Sequence, residues 1–213
     1  STERASAPSE LGGSAVAQPS TPYESPPPGG LRFVTQGRES LLVCESADAL
    51  LVLDRERADA IRRYEALASA LEAGTAQRHH LLFPDRVELT ATRRAGLQRH
   101  ADSLNSLGFE CSALGDETFA VRAVPAIAAD APAAFVLMAT LDALEASGAD
   151  ASESREQALR AVSNASATAN GEALEADAAR AIVAAISLEQ PEHQDCVLGR
   201  IPWRSAGRGG GGG

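Results

Sequence analysis

Five side chains able to hold a divalent cation or move a proton fall into two short stretches: Asp54, Glu56 and Glu65 in one, His193 and Cys196 in the other. Carboxylate, imidazole and thiolate together are a donor set that can hold a hydrated metal beside a phosphate. Spacing argues against convergence within the first stretch, because a helical period begins after Asp54 and turns Glu56, two residues on, about 200° away. Each residue also has a plainer reading. Asp54 stands at a strand-to-helix junction, where an N-cap is expected. Glu65 reads as a solvated helix residue beside Arg62, Cys196 as a small buried hydrophobe and His193 as a loop residue. His79 and His80 are adjacent in an extended run, so their rings point to opposite faces. Arg122, inside an apolar strand, is the one charge whose position suggests a buried partner.

The elements that position these residues are legible from periodicity. Leu41–Val43 and Leu50–Leu53 are continuous apolar runs around the turn Ser46–Ala47–Asp48, the pattern of paired strands buried on both faces. From Asp54 the period changes: Ala58, Ile61, Tyr64, Leu67, Ala68 and Leu71 form one apolar helical face, with Arg55, Arg57, Arg62 and Arg63 largely off it, and Gly74 ends the helix. Leu31–Val34 and Ser40–Glu45 flank Gln36–Gly37 as a hairpin. Further on come Leu81–Pro84, an alternating strand at Arg86–Leu89, and one helix capped by Thr90 with Leu97, Ala101, Leu104 and Leu107 on a face, stopped by Gly108. A second hairpin pairs Phe109–Ala113 with Thr118–Val124. Helices follow at Pro132–Ala146, from Ser154 (with Gln157 as a capping box) to Gly171, and at Leu174–Leu188, before an extended segment from Cys196 to Trp203.

Composition excludes several classes. The 213 residues carry a net charge of −10, against a chain that grips nucleic acid over its whole surface. Three scattered cysteines make neither a disulfide framework nor a CxxC zinc site, and no run approaches a membrane span, so a cytoplasmic location is expected. A glycine-rich phosphate loop is missing too, which weighs against a small-molecule-binding α/β regulatory domain. Residues 1–30 have the Ser/Pro-rich composition of a disordered linker and 205–213 that of a disordered glycine tail, and the linker suggests that the natural chain continues upstream.

Four local motifs carry a resemblance. Leu53–Asp54 continues as R-E-R-A-D-A-I-R-R-Y-E, Phe119–Pro125 reads F-A-V-R-A-V-P, Leu107–Glu110 reads L-G-F-E, and Cys196–Pro202 reads C-V-L-G-R-I-P. Together they resemble the C-terminal domain of MutL, the DNA mismatch-repair family, over roughly Leu31 to Pro202. The first aligns with the family's D-Q-H-A-A-x-E-R-x-x-Y-E, the second with F-x-V-R-x-V-P, the last with C-P-H-G-R-P. In the nuclease-active branch, the first and last motifs and an A-C-H-x-A-V-R-A helix build a metal-dependent nicking site. Here Arg55 and Glu56 replace its Gln and His, Ala60 its Glu, Asn164–Ala165 its Cys-His, Ala169 its Arg and Leu198 its last His. Asp54, Glu65 and Cys196 remain.

The resemblance implies an α/β (α+β) fold of two subdomains: an inner one of residues 31–76 plus 153–204, and an outer one of residues 77–152. It implies a dimerisation and partner-docking domain of a mismatch repair protein, without nuclease activity and without cofactor or metal. The competing enzyme reading is a nicking endonuclease with rearranged ligands. The chain is expected to be a homodimer through Leu41, Val43, Leu51, Leu53 and Trp203, because leucines of a sheet dry on both faces need cover. In the alternative, the Ala-rich helices cover the second face within one chain. His79, Leu82 and Pro84 lie where the family can carry a sliding-clamp-binding Q-x-x-[LI]-x-P, against the plainer reading of Leu81–Phe83 as a core strand. DNA is expected to bind weakly if at all, and other repair proteins are implied as partners.

Overall fold

Antiparallel pairing builds a first sheet from β1 (Arg32–Gln36), β2 (Leu41–Glu45), β3 (Ala49–Asp54) and β7 (Val197–Pro202), in the order β1-β2-β3-β7. A computed structural model describes residues 25–26, 29–37, 40–115, 117–147, 150–168 and 174–203. The second sheet, β4-β6-β5, comprises β4 (Arg78–Glu88), β5 (Glu110–Ala113) and β6 (Thr118–Pro125). With six α-helices among the described residues, the fold is α+β, as expected.

Within one protomer only one of the two faces expected to be dry in β2 and β3 is covered, as their register shows. Leu42 pairs with Leu53 and Cys44 with Leu51, and all four lie in a core under α6 (Ala176–Ala184), with Ala58 of α1 (Arg55–Glu72) and Cys196. Val43, paired with Val52, and Leu50 stand on the opposite face. A period of two puts neighbours on opposite faces, so the same runs serve one covered surface and one that is not.

A second core lies between the second sheet, α4 (Ala133–Ala146) and α5 (Ala151–Thr168), with Leu67 of α1 reaching into it. Phe109, Val121, Val124, Val136, Leu137, Leu141 and Val162 are its largest fully buried members. Helix α5 packs on α1 and α4, and its buried Ala158, Leu159, Val162 and Ala165 belong to this second core, so of the two Ala-rich helices only α6 lines the core of the first sheet among the described residues.

Local signals set most boundaries. Asp54 Oδ1 accepts from the Arg57 amide at 3.1 Å, and Thr90 Oγ1 from the Arg93 amide at 3.3 Å, so both residues cap the helices they precede. Gly108, at φ 109°, takes the left-handed stop that a side chain would strain. The expected helix after Thr90 is two, α2 (Ala91–Arg99) and α3 (Ala101–Leu107), broken at His100, with Ala101 exposed. Helix α5 starts at Ala151, because Asp150 Oδ1 accepts from the Ser152 and Glu153 amides; Ser154 is not its cap. Helix α6 is shorter than expected. Gly29 already belongs to the fold, its carbonyl accepting from the Leu188 amide at 3.2 Å, which trims the expected linker. Residues 1–24 and 27–28 of that linker, the tail at 205–213, Ala169 and the stop at Gly171 lie outside the described residues.

Burial of charge in α1 is the largest departure from periodicity. Arg55, Asp59 and Arg63, one helical turn apart, are all buried, although Arg55 and Arg63 are expected off the apolar face. The helix is enclosed on more than one side, so a stripe that periodicity assigns to solvent is inside. Arg63 donates to Asp59 at 2.7 Å, to both Asp130 oxygens at 2.9 Å, and to the Ile127 carbonyl in the 3₁₀ turn Ala126–Ala128 that leaves β6. Arg122 is corrected in the other direction: it is exposed and donates to Ser112 Oγ at 2.8 Å.

Candidate functional site

Helices α1 and α5 and the 3₁₀ segment Pro191–Cys196 enclose a cleft of about 520 Å³. Glu65, Asn164 and His193 line it with Arg57, Tyr64 and Arg160, and a smaller groove beside it takes in Asp54, Glu56 and Ala60. Tertiary folding thus brings together positions separated by more than a hundred residues in the chain.

Their chemistry is that of a structural joint. His193 is buried and tied at both nitrogens, which corrects its reading as an idle loop residue: Nδ1 accepts from the Ser187 amide at 3.0 Å, so the ring proton sits on Nε2 and is donated to Glu65 Oε1 at 2.9 Å. Glu65 is therefore engaged across the cleft, where the sequence suggested a solvated partner of Arg62; Arg62 is instead held by Asp59. Arg57 donates to the Asp195 carbonyl at 3.1 Å and lies 3.8 Å from Asp54. Arg160 stacks 5.1 Å from the Tyr64 ring centroid and is held charged by its hydrogen bond to Glu156. Glu56 accepts from Ser40 Oγ at 3.2 Å.

Cys196 is fully buried, as expected of a small hydrophobe, with its thiol directed to the His193 carbonyl at 3.0 Å. Burial pushes its pKa up to about 11, and that of Cys44, also with Cys196 close by, to about 12. Thiolate ligation would work against this environment. Among the described residues no group of three or more His, Cys, Asp or Glu is arranged to hold a metal ion. The donors present do not fit the metal that the family's nuclease branch uses.

These shifts set an alkaline limit. Above pH 9 the unfolded chain would release protons that folded Cys44 and Cys196 retain, so the folded state binds more protons and stability falls as pH rises from about 9 towards 11. Burial pushes Cys111 up to about 11 as well, so at pH 8 a thiol reagent is expected to modify this half-buried residue slowly in the native chain and to reach Cys44 and Cys196 only on unfolding. Stoichiometric native labelling of all three, read by mass spectrometry, would contradict the burial.

Two surfaces complete the candidates. On the first sheet, Val43, Leu50 and Val52 are half-buried, and Leu41 is exposed; none belongs to either core. Ile201, opposite Leu50, is 59% exposed, and Leu198 and Trp203 are 55% and 47% exposed beside them. Trp203 donates from Nε1 to the Ser46 carbonyl at 3.3 Å. Of the five residues expected at a dimer interface, Leu41, Val43 and Trp203 are on accessible surface. Leu51 and Leu53 are consumed by the protomer's own core, which corrects their assignment. By register Leu50, Val52 and Ile201 share the accessible face with Leu41 and Val43, a signal present in the sequence only as alternate positions of the same runs.

The second surface is a bulge in β4. His80 pairs with Ala123 and Asp85 with Val121, so Leu81–Pro84 stand out of the ladder. Leu82 is 87% and Phe83 82% exposed, which overturns the reading of both as core-strand residues. His79 and Pro84 are also exposed, and Leu81 alone packs inward.

In the cleft Glu65 and His193 are bound to each other, and the first sheet leaves one apolar face uncovered. Residues 34–174 match the family described as the MutL C terminal dimerisation domain, and the chain belongs to that family. It is similar to the DNA mismatch repair protein MutL of Trichlorobacter lovleyi, 31% identical over 116 residues, covering 54% of this chain and 19% of that protein. The MutL of Geobacter sulfurreducens is 30% identical over 122 residues, 57% of this chain and 20% of that protein. The chain thus spans about a fifth of the length of these curated relatives. No helix among the described residues is long and apolar enough to cross a membrane.

Proposed function

We propose that this chain is a homodimerising, partner-docking domain of a cytoplasmic mismatch repair protein, without nuclease chemistry. The observation that carries the reading is the uncovered face of Leu41, Val43, Leu50, Val52 and Ile201 in a chain of a dimerisation-domain family. A contiguous apolar face of this kind is characteristic of an association surface, and a second copy is its simplest cover. Light scattering after size exclusion tests it: the expected mass is twice the chain's 22.0 kDa at micromolar concentration, and a monomer mass refutes the dimer.

Two units, one around each sheet, are part of this reading, an inner one of about residues 31–76 plus 153–204 and an outer one of 77–152. The two separate sheets support that division, while the second core draws on both units through Leu67 of α1 and the buried face of α5.

The absence of nuclease chemistry is supported by the protonated burial of Cys196, the engagement of Glu65 by His193, and Asp54 acting as a cap. The purified chain is expected neither to bind Mn or Zn stoichiometrically nor to nick supercoiled DNA. Metal-dependent nicking abolished by Asp54→Asn would restore the endonuclease reading. Asp54→Ala should instead cost about 1 kcal/mol of stability, the usual loss on removing an N-cap.

The bulge at Leu82 is the docking element of this reading, with His79, Leu82 and Pro84 in the clamp-binding register. Its support is the exposure of two large apolar side chains on a strand that could have buried them. A pull-down with the replicative clamp is expected to weaken at least tenfold for Leu82→Ala with Pro84→Ala; equal capture would remove the clamp from the proposed partners.

A further inference from the structure

Gly199 lies on the uncovered face in β7, the edge strand of the first sheet, and no steric demand of its own protomer calls for a glycine there. It pairs with Val52, which pairs in turn with Val43, so all three positions share that face. Its φ is not in the left-handed region, and a Cβ built on it meets no atom within 4 Å. Within a strand, glycine forgoes side-chain packing and carries an entropic cost, and its presence commonly marks a close approach by something else. The missing side chain leaves a notch beside Val52, next to Leu198, which the register shift between Val52 and Leu53 leaves unpaired.

We propose that Gly199 is the point of closest approach of the second copy, the notch receiving an apolar side chain of the partner protomer. This rests on the homodimer reading and specifies how the two faces meet. Position carries it: Leu41 and Ile201 are large exposed aliphatics of this face, whereas Gly199 presents no side chain and leaves open space where a Cβ would stand. In a two-fold contact the same patch supplies both the knob and the hole.

The inference has a sign that a structural role lacks. Valine is a better strand former than glycine, and here it has room, so in an isolated protomer Gly199→Val should be neutral or stabilising. In a dimer packed at the notch, the same change should raise Kd at least tenfold. Gly115, in the β5–β6 connection, also has open space around its Cβ and no left-handed φ, so Gly115→Val is the matched control.

Sedimentation equilibrium of the whole chain is run for wild type, Gly199→Val, Gly199→Ala and Gly115→Val, each checked by circular dichroism. The expected result is a wild-type dimer, a Kd raised at least tenfold by valine and less by alanine at position 199, and no change at 115. A wild-type monomer would overturn the homodimer reading itself. A wild-type dimer in which the folded position-199 variants associate as tightly as the control would overturn this inference alone. Should the valine variant not fold, the alanine variant decides: an unchanged Kd overturns the inference and a raised one supports it.

Discussion

Replacing Arg63 with methionine is expected to remove about 3 kcal/mol of stability, a large loss for a substitution that keeps the apolar stem. Arg63 is 5% exposed and joins Asp59, Asp130 and the Ile127 carbonyl. Burial disfavours its charge, but the carboxylates of Asp130 and Asp59 outweigh that and raise its pKa, so the guanidinium is charged at every accessible pH. Removing it leaves buried Asp59 with Arg62 alone and the turn after β6 without its donor. Arg62→Met is the comparison: that side chain is 36% exposed, and its pair with Asp59 should be worth less than about 1 kcal/mol. Urea denaturation followed by circular dichroism reads both. Equal small losses would mean that the buried network adds little beyond a surface pair. Because Arg63 links α1 to the connection between β6 and α4, its loss should also raise amide exchange first around residues 126–131.

The second large effect separates the two faces of one strand. Val52→Asp places a charge at the centre of the proposed interface and is expected to weaken self-association by about 2–4 kcal/mol, roughly 30- to 1000-fold in Kd, with the protomer still folded. Leu53→Ala, one residue along, opens a cavity in the protomer's core and should cost about 2–5 kcal/mol of unfolding free energy wherever the chain is monomeric. Neighbouring substitutions thus act on different equilibria, one read by light scattering across a dilution series, the other by denaturation. If Val52→Asp unfolds the chain while leaving any folded fraction dimeric, the open face is not the contact surface.

Much of the fold was legible before any coordinates. Continuous apolar runs, the change of period after Asp54, the caps at Asp54 and Thr90 and the stop at Gly108 are local, because hydrogen bonds within a few residues enforce them. The motif at Phe119–Pro125 and its companions pointed to the family that residues 34–174 match. The losses at Ala60, Asn164 and Leu198 were likewise plain from residue types, since a methyl, an amide or an isobutyl group cannot replace the motif's Glu, Cys or His.

Tertiary structure alone decided which side of each element meets what. Leu51 and Val52 are equally apolar in sequence, yet register and the placement of α6 bury one and leave the other on the uncovered face. Periodicity put Arg63 in solvent and Arg122 in a core, and the structure reverses both, because enclosure of α1 and the outward face of β6 depend on elements far along the chain. His193 gained its partners only when the segment after α6 folded back on α1, 128 residues from Glu65. Leu82 and Phe83 read as strand core until a skipped register pushed them out of the ladder. Local hydrogen bonding and hydrophobic period act over a few residues and can be read along a chain; burial is a property of what packs opposite, which no single stretch contains.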